Sequence, residues 1–399
     1  MPKPKIADFK KEFDNILNYW IMHTPDKRYG GFFGKIDHDN QVYTQAPKGS
    51  VLNARILWSF SAAYNYQPKP EYLELAKRSF DYIRHYFIDE IYGGVFWTVD
   101  YLGRPLDAKK QIYALSFAIY GLAEYHKACE DVLALALAKR LFEVIEKYSY
   151  DQEKGGYLEA FARNWKELPD LRLSDKDYNE KKTMNTHLHV LEAYTNLYRI
   201  WKDDFLEKQI RGLIRDFLTH IIDPKTNRLI LFLDENWQPK SNIISYGHDI
   251  EASWLLLEAA EVLGDEGIIS SVKTVSVAMA RAVASGLDRD GSMYYEYKPD
   301  QNHLVKERHW WVQAEAMVGF LNAWQLTGEK LFFNHFAKVW AFIQQYIISA
   351  DKGEWIWGLD EDYALIPDED KAGLWKCPYH NSRAMMEVVH RLKKGILIH

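Results

Sequence analysis

His189, His248 and His380 are the residues from which chemistry is most readily built. Each begins a segment patterned as a helix: His189 in TMNTHLHVLEAY, His248 in YGHDIEASW and His380 in LWKCPYHNSRAMME. Imidazoles titrate near neutral pH and suit proton transfer at a carbon beside a carbonyl. Two of them on opposite sides of a sugar C2 would exchange its proton between faces, which is epimerisation. Arg55 in LNARILW, Tyr113 in KQIYALSF and Trp311 in ERHWWVQAEA stand at the same point of their own segments. Positions 55, 113, 189, 248, 311 and 380 are separated by 58, 76, 59, 63 and 69 residues. One residue per structural period means one phase, and in a closed ring one phase lines one pocket.

Helix geometry sorts the neighbours. His187 and His189 are two apart, about 200° around a helix, which puts His187 behind the pocket. Asn185 and His189 share a face. Glu251, three residues after His248, is expected to orient or polarise that imidazole, and Arg383 stands in the same relation to His380. The three histidines with Glu251 would make a histidine-rich metal site. They come from distant segments without short-range ligand spacing, however, so neither metal nor cofactor is expected. A glycosidase would need two carboxylates flanking the scissile bond. Glu251, Glu315 and Asp177 are available, but hydrolysis does not account for three histidines in phase.

The elements that position these residues follow from a repeat. YGGFFGKID at Tyr29–Asp37, YGGVFWTVD at Tyr92–Asp100 and KGGYLEAF at Lys154–Phe161 are followed by weaker copies: TNRLILFLD from Thr226, DGSMYYEY from Asp290 and KGEWIWGLD from Lys352. Marker positions 30, 93, 155, 227, 291 and 353 lie 63, 62, 72, 64 and 62 apart. Between markers, apolar residues recur at helical spacing. They predict helix pairs at 50–66 and 70–87, 109–127 and 130–148, 181–201 and 203–221, 246–263 and 265–284, and 308–327 and 329–347. A first helix at 5–22 pairs with a last at 376–393. Twelve helices in six hairpins, closed first to last, predict an all-α (α/α)6 barrel with short β-hairpins on one face. No Pro-, Gly- or Ser-rich linker interrupts it, so 1–399 reads as one catalytic domain.

Composition narrows the partners. The 399 residues carry a net charge of −6 with the signs interspersed, so no basic stripe points to nucleic acid. No continuous apolar run long enough to span a bilayer is visible, and the N-terminus lacks a signal-peptide core. Two cysteines, Cys129 and Cys377, make no disulfide framework. A cytoplasmic monomer or weak homo-oligomer is expected, without membrane or nucleic-acid partners. The 14 Trp and 26 Tyr are the compositional excess, and their flat amphipathic faces suit sugars as well as helical cores.

The motifs GGFFGKID, LNARILW, MNTHLHVLEAY, YGHDIEASWLLLEAA, HWWVQAEA and WKCPYHNSRAMMEVVHR together resemble the cellobiose 2-epimerase family, within the N-acylglucosamine 2-epimerase superfamily of (α/α)6 barrels. The likeness runs through nearly the whole chain, and WKCPYHN is similar to the disaccharide branch. The resemblance implies a metal-independent isomerase that inverts C2 of the reducing-end glucose in β-1,4-linked disaccharides having a free reducing end. It implies that His380 removes the C2 proton from the ring-opened sugar and that His248 returns one to the other face. His189 would assist ring opening and bind the enediolate oxygen, with Arg55 supplying positive charge. Tyr113, Asn185 and Glu251 would hold hydroxyls or orient histidines. Trp311 would stack on the reducing-end ring, Trp375 on the second ring, and Asp177 would touch substrate from a loop.

Other residues read as structural: His187, His303 and His309 as satisfied histidines, Trp58, Trp254 and Trp310 as packing, and Asp360–Asp370 as a solvated loop. Arg55, among apolar neighbours, reads as a ligand contact rather than half of a salt bridge. A monosaccharide 2-epimerase or aldose–ketose isomerase, and a non-catalytic carbohydrate-binding toroid, are the alternatives.

Overall fold

The computed structural model describes residues 4–349 and 353–395, so Lys352, which opens the sixth hairpin copy, lies outside the described residues. Among them are twelve α-helices: α1 Ile6–His23, α2 Ser50–Tyr66, α3 Pro70–Tyr82, α4 Ile112–Cys129, α5 Val132–Tyr148, α6 Met184–Ile200, α7 Asp204–Asp216, α8 Tyr246–Leu263, α9 Glu266–Val283, α10 Trp310–Thr327, α11 Lys330–Phe342 and α12 Tyr379–Lys394. The even-numbered helices touch in sequence around a ring that closes from α12 back to α2. Each odd-numbered helix packs outside an even one, and α1 closes against α12. This is the (α/α)6 barrel.

Burial separates the two rings. Inner α2 is buried on every face from Ser50 to Ala63, as an element enclosed by neighbours must be. Outer α7 buries only the stripe Leu206, Gln209, Ile210, Leu213, Ile214 and Asp216. The predicted outer helices at 70–87, 203–221 and 329–347 were drawn as uniform α. Their last five residues, Ile83–Phe87, Phe217–Ile221 and Ile343–Ile347, are instead wound as π-helix. The wider turn is closed by i→i+5 bonds such as Ile88 N–H to Ile83 O at 3.2 Å, a difference of winding to which apolar periodicity is blind.

The hairpin face is stitched together between repeats. Lys48–Gly49 pairs antiparallel with Thr98–Val99, Lys110–Gln111 with Ala160–Phe161, and so on round to Ile36 against Ala372, which closes the ring a second time. The six markers all adopt left-handed backbone: φ is 81°, 76°, 74°, 96° and 89° at Gly30, Gly93, Gly155, Gly291 and Gly353, and 55° at Asn227. Asn substitutes there because it tolerates this region better than other L-residues.

A cation two residues before an inner helix locks four of the six hairpins. Lys48 meets Asp26 at 2.8 Å, Lys110 meets Asp89 at 2.9 Å, Lys182 meets Asp151 at 3.0 Å and Arg308 meets Asp288 at 2.9 Å. The aspartate also accepts backbone N–H groups of its own turn, as Asp26 does from Arg28 and Tyr29. The start of the inner helix is thereby tied to the turn that precedes it in the chain.

Glu266–Gly286, formed by α9 and the turn after it, is long and apolar enough by composition to cross a membrane, where none was expected. The expectation looked for an unbroken apolar run, and this segment is broken by Ser, Thr, Lys and Arg. It stands as an outer helix, burying Ile269, Val272, Met279 and Val283. Both cysteines are free thiols.

Lys48→Met leaves Asp26 charged, buried and short of its cation. An equilibrium denaturant titration is expected to show a loss of about 3 kcal/mol, most of it regained in Lys48→Met/Asp26→Asn. An unchanged midpoint would contradict the locking role.

Candidate active site

Because every inner helix starts at the hairpin face, its first two turns point into one chamber. A cavity of about 360 Å³ there is lined by Arg55, Tyr113, Asn185, His189, His248, Glu251, Trp311 and His380 from the helices, and by Trp375 and Asp177 from loops. All ten residues singled out in the sequence thus meet in one place.

The floor is an ionic cluster. Arg383 Nη2 donates to Glu251 Oε1 and Glu315 Oε1, each at 2.7 Å, while Nη1 donates to Glu192, which also accepts from the Tyr379 hydroxyl. Glu315 holds His380 Nδ1 at 2.7 Å and receives the Trp254 indole N–H at 3.0 Å. Glu192 holds His189 Nδ1 at 2.9 Å. Burial works against Glu192, yet Arg383 and His189 bring its carboxyl down to about 2. Burial first, and the neighbouring Glu315 charge second, push Glu251 up to about 8. Burial raises Glu315 as well, but Glu315 accepts from Arg383 and Trp254 and faces His380 Nδ1, whereas Glu251 accepts from Arg383 alone. The proton that the pair shares therefore sits on Glu251, and Glu315 serves as the acceptor.

An ionised carboxylate only accepts, so Nδ1–H is the donor in His380 and His189, and each Nε2 carries a bare lone pair. His248 is different. Its Nδ1 faces the Ser245 hydroxyl at 2.8 Å, and a hydroxyl donates or accepts with equal ease. His248 is thus free to carry its proton on Nε2 while His380 is held as a base. Burial, then the positive surroundings, keep both imidazoles neutral: His248 is pushed down to about 3, and His380 lies well below its ordinary value. The Trp311 ring touches both, with centroids 4.8 Å from His248 and 5.7 Å from His380.

Arg55 is buried without a carboxylate partner among the described residues. It bonds the Tyr113 hydroxyl at 2.6 Å and lies over Phe117 at 4.1 Å. A fixed cation without a counter-ion suits an oxyanion that forms only during reaction.

Two expectations need correction. Glu251 does not orient His248: its carboxyl turns to Arg383, a full charge that outcompetes an imidazole three residues away. Trp254 is more than packing, since its N–H fixes the carboxylate behind His380. Trp310 is packed on Trp357, and His309 is a satisfied histidine, stacked on Tyr295 at 4.0 Å and bonded to Glu307 at 2.7 Å; both also border the cavity. His187 is the satisfied structural histidine expected, Nδ1 donating to Thr183 O at 2.7 Å and Nε2 accepting from Tyr157 N at 2.9 Å. His303 is exposed, as is most of Asp360–Asp370, though Glu369 reaches the cavity wall. Trp58 is buried against Tyr120. Asp177 lies at the cavity but also holds its own loop, accepting Ser174 N and Oγ at 2.9 Å each.

Sequence reasoning missed Glu192 and Tyr379 and gave Glu315 to a different chemistry. The signal for Glu192 was its place three residues after His189. Nothing along the chain marks Glu315 as the partner of His380, 65 residues away. Glu251, Glu315 and His380 offer ligand atoms within 4.8 Å of one another, a grouping that could hold a metal ion. Arg383 already gives both carboxylates their positive charge, so a divalent ion would have to compete with a guanidinium. The same contact ties up the carboxylates that a glycosidase would need beside the scissile bond.

Two outcomes follow. Glu315→Gln removes the charge that supports a protonated His380, so kcat should fall by about a hundredfold with KM nearly unchanged; an equal rise in KM would mean that the pocket itself had collapsed. The imidazole NMR signals of His248 should remain those of the neutral ring at pH 5, and those of His189 and His380 should titrate below the ordinary imidazole value. The unfolded chain binds these protons near pH 6.5 and the folded one only at lower pH, so stability should decline as pH falls from 6.5 toward 4. Titration of all three near pH 6.5 would refute the neutral assignment.

The chain matches the family model described as N-acylglucosamine 2-epimerase (GlcNAc 2-epimerase) over residues 31–384. It is 50% identical to a cellobiose 2-epimerase of Bacteroides fragilis, covering 94% of this chain and 95% of that one. It is 38% identical to a cellobiose 2-epimerase of Ruminococcus albus, covering 97% and 98%. The solved structure of the cellobiose 2-epimerase from Bacillus thermoamylovorans superposes with a TM-score of 0.92 at 38% identity, covering 97% of this chain and 99% of that one.

Proposed function

The chain belongs to the N-acylglucosamine 2-epimerase family, and from that membership we propose that it is an isomerase acting at C2 of the reducing-end glucose in β-1,4-linked disaccharides. The observation that carries this reading is the pair of neutral imidazoles that line one cavity beside Trp311, one held as a base by Glu315 and the other free to present an acid.

The sugar opens first: His189 Nε2, supported by Glu192, takes the O1 proton and passes it to O5 as the C1–O5 bond breaks. His380 Nε2 then takes the C2 proton. The C–H electrons form C1=C2, and the carbonyl pair moves to O1, making a cis-enediolate beside the Arg55 charge. Rotation about C2–C3 presents the other face, and His248 Nε2–H delivers its proton to C2, while solvent takes the proton from His380 and returns one to His248, so that both rings end neutral. Ring closure leaves the mannose-type sugar. In reverse the histidines exchange roles, which the Ser245 hydroxyl permits by turning from donor to acceptor. Delivery to C1 instead of C2 would give a ketose, so some aldose–ketose isomerisation accompanies epimerisation.

No metal enters this scheme, since Arg55 and Arg383 carry the positive charge. Two unpaired thiols fit a reducing, cytoplasmic setting. Trp375 gives the second ring its stacking face, which favours a disaccharide over a monosaccharide.

Proton NMR of cellobiose with the protein in D2O and chelator is the test. Deuterium at C2 with a new mannose-type reducing end is expected, and both should vanish in His380→Ala. Free glucose would mean hydrolysis. Saturable binding without exchange would mean a binding toroid, and turnover of mannose or N-acetylglucosamine alone would mean a monosaccharide enzyme.

A further inference from the structure

A second cavity, about 530 Å³, opens beside the catalytic one at the third and fourth repeats. Asp177, Asn185, His248 and Tyr295 line both, and the loop carrying Leu173, Ser174, Lys176 and Asp177 roofs both. The two are one branched cleft, and none of the steps above uses the larger branch.

Its lining has the chemistry of a sugar site. Tyr178 lies flat on Phe232, centroids 5.0 Å apart and 18° from parallel. Phe232 is buried while Tyr178 is 45% exposed, so one face of the tyrosine ring is open. Around it stand Glu296, Asn242 and Gln301. Asn242 is braced by its bond to Asp300 at 2.6 Å. Lysines 176 and 298 are interleaved with these acids, so the wall favours neither an anion nor a cation. An open aromatic face beside carboxylates and amides matches a neutral ring with an apolar C–H face and hydroxyls at its edge. The Leu173–Asp177 segment borders both branches and so joins the cavity that holds Trp375 to this one.

We propose that the branch is a further sugar subsite, with Tyr178 as its stacking platform and Glu296 and Asn242 as hydroxyl partners, taking the third unit of a β-1,4-linked oligosaccharide. This rests on the disaccharide reading above. The competing exit from Trp375 runs over Trp97, whose ring is 5.7 Å away.

Initial rates on cellobiose and cellotriose separate the two. The unaltered protein should show a KM about tenfold lower for the trisaccharide, the scale of one stacking contact. Tyr178→Ala should erase that advantage and leave cellobiose kinetics unchanged, whereas Trp97→Ala should keep it. Retention of the advantage in Tyr178→Ala, or its loss in Trp97→Ala, overturns the proposal. Calorimetric binding of both sugars to His380→Ala repeats the comparison without turnover. Tighter trisaccharide binding that Tyr178→Ala abolishes supports the subsite even if epimerisation fails, and equal affinities refute it.

Discussion

Arg383 is the interaction on which the rest of the site depends. A guanidinium buried in the middle of a helical ring is tolerable only if its charge is answered, and three glutamates from α6, α8 and α10 answer it. The carboxylates in turn must share, because three anions around one cation do not balance. Glu251 keeps a proton, and Glu192 and Glu315 face Arg383 as the acceptors. Those two anions are the ones that hold His189 and His380. One arginine on α12 thus decides the protonation of the floor, and the floor decides which ring nitrogen of two histidines faces the substrate.

The scaffold makes that arrangement affordable. Inner helices are enclosed on all sides, and the first turns of four of them are pinned by the cation two residues upstream, which reaches back to an aspartate in the preceding turn. Strand pairs between successive hairpins carry this fixation round the ring, and Ile36 against Ala372 closes it. Side chains presented from such starts have little freedom to drift, which a proton exchange between His248 and His380 requires. His248 is the exception by design of its partner: a serine hydroxyl holds it in place without dictating its tautomer.

Much of this could be read along the chain. A period near 63 residues, left-handed markers and alternating helix patterns specify a closed ring of hairpins, and the shared phase of six positions identifies the pocket. The π-turns at Phe87, Ile221 and Ile347 were invisible, because a change of winding leaves apolar spacing almost intact. So was the work of Trp254, since a tryptophan at helical spacing has the same pattern whether its N–H is idle or fixes a carboxylate.

Sequence by itself determined the repeat, the closure and the set of residues facing the axis, because those depend on periodicity and each repeat reports its own. Tertiary structure alone decided the partnerships. His380 with Glu315, His189 with Glu192 and Glu251 with Arg383 are choices among groups that all point into the same space. Local spacing favoured Glu251 for His248, but a buried carboxyl goes to the nearest full charge, and that charge arrives from another helix.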